Sequence, residues 1–224
     1  MTLPLQYAEG RAYFMDFELK VGAGVLIPRP ETELLVERAA EACAALRCKR
    51  NDEKGILRVL DLCTGSGNIA ISLTKYVRRS KILALDISPE ALAAAGFNAA
   101  GLGAGENVSF VRSDLFGGIC KKKYFDIIVS NPPYVSGADM ATLPDDVLEE
   151  PRTALYGGPD GLDFYRRIAC DAKYFLKKDG FILMEMGYDQ SAAVRAILRA
   201  EGYRDTEIFK DYSGIDRIIK AANG

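Results

Sequence analysis

The chain is expected to adopt an α/β fold. A mostly parallel seven-stranded sheet carries helices on both faces and an antiparallel hairpin at its edge, and a β-hairpin precedes it. Three observations carry that expectation. Apolar runs of strand length recur at 56–62, 82–87, 108–111, 125–129 and 181–184 and around Ile208 and Ile218; near-continuous apolar runs suit strands buried on both faces. Helix-like stretches at 68–79, 89–101, 161–178 and 189–201 lie between them, the alternation of a doubly wound sheet. The last two runs are joined through Asp211-Tyr212-Ser213-Gly214, a turn too tight for anything but an antiparallel pair.

In chain order, Asp16-Phe17-Glu18-Leu19-Lys20-Val21 alternates charged and apolar residues, so a strand there has one apolar face. Gly22-Ala23-Gly24 offers a turn and Val25-Leu26-Ile27 a second apolar strand, predicting an N-terminal hairpin that Pro28-Arg29-Pro30 ends. Pro30 or Thr32 then opens a helix with Leu34, Leu35, Ala39 and Ala42 on one side. These features divide the chain into an N-terminal hairpin and entry loop, 1–30, packed on a catalytic domain, 31–224. The longest non-periodic stretch, 131–161, is where a substrate loop is expected.

Composition removes several function classes. The 224 residues contain no histidine, so no Ser-His-Asp triad, histidine metal cluster or imidazole base can be built. With 29 Lys+Arg against 31 Asp+Glu the formal net charge is −2, which gives no global attraction to nucleic acid. Five cysteines, none in a C-x-x-C pair, read as reduced thiols rather than a disulfide framework or zinc site. No secretory pattern opens the chain and no apolar stretch reaches membrane-span length. The expectation is a cytoplasmic monomer without metal.

The first apolar run leads into Asp61-Leu62-Cys63-Thr64-Gly65-Ser66-Gly67-Asn68-Ile69-Ala70. Gly65-x-Gly67-x-x-Ala70 satisfies the dinucleotide fingerprint, and Asp86 ends the next strand at the expected distance. Asp61, four residues before Gly65, makes the D-x-x-x-G-x-G arrangement typical of S-adenosylmethionine-dependent methyltransferases. A carboxylate there can answer the ligand's ammonium directly or through water, and the glycines let backbone approach the ligand. Asp86 is placed for the ribose hydroxyls, and Ser113-Asp114, after the third strand, for the adenine edge. Tyr174-x-x-x-Lys178 has the spacing of a short-chain dehydrogenase pair, but it is expected at a helix end before Asp179-Gly180, where lysine answers the helix dipole.

The fourth strand delivers Asn131-Pro132-Pro133-Tyr134 at its carboxyl end. An amide nitrogen is a poor nucleophile because its lone pair is delocalised. Acceptors on its two N–H groups turn that lone pair toward the methyl carbon. The Asn131 side-chain oxygen and the Pro132 carbonyl can serve as those acceptors. Pro133 stiffens the loop, and Tyr134 can lie against a planar amide and near a sulfonium. No strong base is needed, which suits a chain without histidine. As a bland alternative, Asn-Pro simply ends a strand in a turn.

With these residues placed, the sequence resembles the HemK-type protein-(glutamine-N5) methyltransferases, which modify the Gly-Gly-Gln loop of peptide chain release factors. The resemblance runs through Val25-Leu26-Ile27-Pro28-Arg29-Pro30-Glu31-Thr32-Glu33, Asp61 to Gly67, Asp86, Ser113-Asp114, Asn131 to Tyr134, Glu150-Pro151-Arg152-Thr153-Ala154-Leu155, Gly161-Leu162-Asp163-Phe164-Tyr165 and Gly214-Ile215-Asp216-Arg217. N-P-P-Y alone is shared with nucleic-acid amino-methyltransferases; L-I-P-R-P-E-T-E is far more specific. The resemblance implies a methyltransferase fold of Rossmann type, with S-adenosylmethionine as donor and S-adenosylhomocysteine as product. It assigns the cofactor to Asp61, Cys63, Thr64, Gly65, Ser66, Gly67, Asp86, Ser113, Asp114, Leu115 and Asn131. It assigns the substrate glutamine to Asn131, Pro132, Pro133 and Tyr134, with Asn131, Pro132 and Tyr134 catalytic, and has Arg29 to Glu33 wall the pocket, Arg29 and Glu31 among the substrate-binding residues. The implied partner is a class I release factor, with no nucleic acid or membrane.

Two departures accompany the resemblance. Family members usually carry a helical domain ahead of the hairpin, expected to grip the protein substrate, and nothing here matches it. Leu115 stands where many members place an aromatic residue against adenine, a gap that Phe116 is expected to fill. Lys121-Lys122-Lys123 and Arg166-Arg167 are expected to be solvated. Three alternatives stay open: a glutamine methyltransferase of a large-subunit ribosomal protein, an adenine or cytosine amino-methyltransferase, and a cofactor-binding module without turnover.

Overall fold

The computed structural model describes residues 3–224; of the segment 1–30, residues 1 and 2 lie outside the described residues. A short helix α1 (Leu5–Glu9) leads into the hairpin β1 (Arg11–Phe14) and β2 (Phe17–Lys20), then the long helix α2 (Pro30–Arg50). Alternating units follow: β3 (Leu57–Leu62), α3 (Asn68–Tyr76), β4 (Ser80–Asp86), α4 (Pro89–Gly101) and β5 (Val108–Arg112). A 3-10 turn at Leu115–Gly118 precedes β6 (Phe125–Ser130), and the loop after β6 carries a 3-10 turn at Asp139–Ala141 with α5 (Asp145–Leu148) and α6 (Arg152–Leu155). The chain closes with α7 (Asp163–Ala172), β7 (Leu176–Glu185), α8 (Ser191–Ala200), β8 (Arg204–Lys210) and β9 (Asp216–Ala222).

Strands β3 to β9 form one sheet in the order β5-β4-β3-β6-β7-β9-β8. All pairs are parallel except those made by β9 with β7 and β8. Alternate residues of β3 enter opposite cores. Val59 joins Leu35, Val36 and Leu46 of α2, whereas Leu60 joins Tyr165 and Ile168 of α7 and Leu198 of α8. Burial on both faces is what made these strands read as continuous apolar runs.

The winding reverses at β3, since β4 and β5 lie to one side of it and β6 and β7 to the other. Registers align the strand ends there, with Leu62 opposite both Leu85 of β4 and Ser130 of β6. Cys63, Asp86 and Asn131, each next along its strand or just beyond it, therefore emerge side by side at the topological switch point, where open α/β sheets hold their ligands.

Two expectations about local structure are corrected. The hairpin pairs 17–20 with the preceding segment 11–14, not with 25–27. Its turn uses Met15 at φ 50, a left-handed position without the Gly or Asn that normally signals one. Val25 and Ile27 are buried but take extended-segment partners instead of a strand: Tyr7 Oη donates to the Val25 carbonyl at 2.7 Å, and the Ile27 N–H donates to Glu150 at 2.9 Å. Secondly, the helix expected at 161–178 ends at Ala172, and Lys177 and Lys178 belong to β7. Phe125 of β6 faces Leu176 while Ile127 faces Phe181, so 177–180 bulges from the ladder. That bulge brings Lys177 to the buried Asp126 at 2.8 Å and Asp179 to Arg50 at 2.6 Å, a long-range charge cluster that helix periodicity cannot reveal. Tyr174 and Lys178 thus share no helix.

Candidate active site

A cavity of about 730 Å³ opens over the carboxyl ends of β3, β4 and β6, a size suited to a nucleoside-containing ligand. One wall includes Cys63, Thr64, Gly65, Ser66, Asp86, Ser113, Asp114 and Leu115, and another includes Arg29, Thr32, Asn131 and Pro133.

The glycine turn is built by two carboxylates. Thr64 continues the β3–β4 ladder through its N–H to the Leu85 carbonyl at 3.0 Å. Asp86 Oδ2 accepts the Gly65 N–H and Oδ1 the Ser88 N–H, both at 2.9 Å. Burial raises its pKa, partly offset by those two N–H groups. The two glycines have different tasks. Gly65, at φ 56, faces open space and lines the cavity. A Cβ at Gly67 would meet Ala95 and Ile71 at 3.1 Å, so Gly67 serves the packing of α3 on α4 and does not line the cavity. Asp61 is also withdrawn: fully buried, it accepts from Thr64 Oγ1 at 2.6 Å, leaves Oδ1 without a partner, and has its pKa pushed up to about 7, chiefly by burial.

In the loop after β5, Ser113 Oγ donates to the Leu115 carbonyl at 2.6 Å and accepts the Gly118 N–H at 2.8 Å, so it shapes the loop. Asp114, partly exposed, accepts from Arg167 at 2.8 Å. Leu115, at φ 47, is buried on the cavity wall. Phe116 does not fill the aromatic gap; it stacks on Phe175 with centroids 4.6 Å apart, inside the core.

The residues fit an S-adenosylmethionine-like ligand on three observations. Ser66 Oγ is buried on the cavity wall with no partner. Space lies open beside Gly65. The N-terminus of α3, whose first N–H groups lack intrahelical partners, supplies Asn68 and Ile69 to the same wall.

On the wall beyond β6, Asn131 Nδ2 donates to Thr32 Oγ1 at 3.1 Å, and Thr32 Oγ1 donates to Glu185 Oε2 at 2.7 Å. Glu185, at the end of β7, is 1% exposed, and burial pushes its pKa up to about 7. Tyr134 Oη donates to Glu185 Oε1 at 3.4 Å, its carbonyl accepts from Gln190 at 2.9 Å, and burial raises its pKa. Tyr134 and the buried Pro132 therefore sit behind the cavity wall, while Asn131 and Pro133 form it. Arg29 lines the cavity and is anchored on Glu150, which is buried and also holds the Ile27 N–H. Glu31 sits in the first turn of α2, off the wall.

Sequence reasoning missed the parts of this wall that come from elsewhere. Thr32, read as a helix start and within the stretch 29–33 expected to wall the pocket, does line it; Glu185 and Gln190 were not read at all. Arg166 and Arg167 are exposed, as expected, and in addition line the cavity together with Arg29 and Arg152. Arg166 is paired with Asp160 and Asp163, and Arg152 lies over the Tyr156 ring at 4.7 Å. A signal for Thr32 existed in its place inside P-R-P-E-T-E; Glu185 had none beyond being a carboxylate ending an apolar strand.

Residues 44–161 match the family described as Methyltransferase small domain. The chain is 41% identical over 224 residues to the release factor glutamine methyltransferase of Clostridium acetobutylicum, spanning 99% of this chain and 76% of that relative. The enzyme of that name from Bacillus subtilis is 43% identical over 222 residues, covering 98% of this chain and 75% of the relative. Among solved structures, the release factor-specific protein-(glutamine-N5) methyltransferase of Alicyclobacillus acidocaldarius aligns over 91% of this chain and 98% of that one, with 29% identity and a TM-score of 0.52. With near full-length identity of this order and a cavity at the switch point of the matching fold, the chain belongs to the release factor glutamine methyltransferase family.

Proposed function

We propose that this protein transfers the methyl group of S-adenosylmethionine to the side-chain amide nitrogen of the glutamine in the Gly-Gly-Gln motif of a class I peptide chain release factor, acting as a cytoplasmic monomer. The observation that carries this reading is Asn131: its NH₂ is occupied by Thr32 at 3.1 Å, so its oxygen is left to accept from the substrate amide. When bound, S-adenosylmethionine supplies an electrophilic methyl on a sulfonium. Everything else is orientation. Asn131 and the Pro132 carbonyl accept the two amide protons and turn the nitrogen lone pair toward that methyl. Asp86 and Asp114 would hold the ribose and adenine of the donor, and Cys63 to Ser66 its amino-acid end. Arg29, Arg152 and Arg167 face the incoming protein loop.

Incubation of the protein with labelled S-adenosylmethionine and a release factor should place one methyl group on the Gly-Gly-Gln glutamine. Asn131→Ala should lower kcat on the order of 100- to 1000-fold, as loss of an aligned transition-state contact does, with cofactor affinity largely kept. Label on a ribosomal protein or on nucleic acid instead of the release factor would overturn the substrate assignment. Near-normal turnover by Asn131→Ala would overturn the mechanism.

A further inference from the structure

We infer that Thr32 and Glu185 are positioning residues that decide which way the Asn131 amide faces, by a hydrogen-bond relay with only one consistent direction. The inference rests on the proposed function and deepens it. A hydroxyl has one proton and an ionised carboxylate can only accept. With the Thr32 proton committed to Glu185 Oε2 at 2.7 Å, Thr32 Oγ1 faces Asn131 as an acceptor. It must therefore be met by Nδ2, as observed at 3.1 Å. The Asn131 oxygen is thereby turned to the cavity, where the substrate amide needs an acceptor. The reversed amide would present donors to a donor, and no nucleophile could be oriented by it.

Burial gives the relay its rigidity: Thr32 and Glu185 are each 1% exposed. Three elements meet there, since Thr32 lies in the first turn of α2, Glu185 ends β7 and Asn131 follows β6. The groups facing Glu185 are the Thr32 and Tyr134 hydroxyls, the latter at 3.4 Å, with Glu31 and Arg217 acting through charge. The Tyr165 hydroxyl donates to its backbone carbonyl at 3.0 Å. Protonation of Glu185 makes it a donor as well, so the Thr32 proton is freed to swing to Asn131 and the direction of the relay is lost. Its pKa is pushed up to about 7, first by burial, which places that loss on the acid side of neutrality.

The test uses the full chain with a release factor as substrate, and pairs turnover with the side-chain amide resonances of Asn131. Thr32→Val removes the acceptor and keeps the shape. It should lower kcat on the order of 100-fold, the penalty of misplacing a reacting group by about 1 Å, with KM for S-adenosylmethionine little changed. Thr32→Ser should restore most of the activity, and Glu185→Gln should abolish the rise of kcat with pH around neutrality. The Asn131 amide resonance should titrate with Glu185 in the wild type and not in Glu185→Gln or Thr32→Val. Wild-type kcat in Thr32→Val, no rescue by Thr32→Ser, or an Asn131 resonance indifferent to pH would each overturn the relay. If the wild type leaves the release factor unmethylated, the substrate reading fails and the resonance still decides the relay. If Thr32→Val does not fold, Glu185→Gln decides it.

Discussion

The two walls of the cavity are made in different ways. The wall at the glycine turn is local: Asp86 holds the Gly65 N–H across 21 residues and the Ser88 N–H across two, and Ser113 closes on Leu115 and Gly118. Its donors are mostly backbone. The wall around Asn131 is assembled from side chains far apart in sequence, at separations of 99 for Asn131 and Thr32, 153 for Thr32 and Glu185 and 121 for Arg29 and Glu150. A wall tied through backbone groups follows once the strand–turn–helix unit forms. A wall tied through distant side chains exists only when α2, β6 and β7 have all docked. The first therefore tolerates change in the second, and the reverse is less true.

That contrast can be broken most sharply at Gly157. A Cβ there would lie 2.7 Å from both the Pro133 carbonyl oxygen and Tyr134 Cα, closer than real contacts allow, and the atoms met are backbone. Gly157→Ala should push the Asn131–Tyr134 segment out of place and lower kcat/KM about 100-fold. Cofactor affinity, measured by calorimetry, should stay close to wild type. Equal losses in both would show that the walls are not separable.

A smaller effect is expected from the other side. Asp86→Asn keeps the size but offers one acceptor oxygen to two N–H donors, those of Gly65 and Ser88. It should weaken cofactor binding roughly 10-fold, the equivalent of one hydrogen bond at about 1.4 kcal/mol. The kcat at saturating cofactor should move far less than in Gly157→Ala.

The smallest effect expected is one on stability, and it comes from pH. Asp61, Asp86 and Glu185 all have raised pKa values in the folded protein, with burial the leading cause. Between the ordinary carboxylate range and about 7 the fold therefore binds more protons than the unfolded chain. Stability from these groups is fully present below that range and is lost as pH rises through it, by at most about 1.4 kcal/mol per pH unit for each carboxyl. Thermal denaturation of the ligand-free protein from pH 5 to 8 should show Tm falling, less steeply in Glu185→Gln. A Tm that rises over this window would contradict the burial of these acids.

Legibility followed the same division. The sheet, its seven strands and the closing hairpin were readable because burial on both faces leaves continuous apolar runs, and because a short turn admits one topology. That Cys63 to Ser66, Asp86 and Asn131 gather at the cavity was readable because each sits at a strand end that the pattern marks. The N-terminal hairpin was misplaced because Met15-Asp16 turns without a turn signature, and 25–27 is apolar for reasons other than pairing. Gly67 and Asp61 were read as ligand contacts, whereas packing against Ala95 and full burial draw them behind the wall.

The sequence by itself determined the layer architecture, the switch point and the chemistry of the strand-end residues, since periodicity and short motifs are local properties of the chain. Only the tertiary structure decided that Asn131 is oriented by Thr32 and Glu185, that Tyr134 stands behind the cavity, and that Arg152, Arg166 and Arg167 line it. The reason is physical. A hydroxyl proton or an amide face takes its direction from whatever group lies within about 3 Å, and which group that is depends on how separate elements pack.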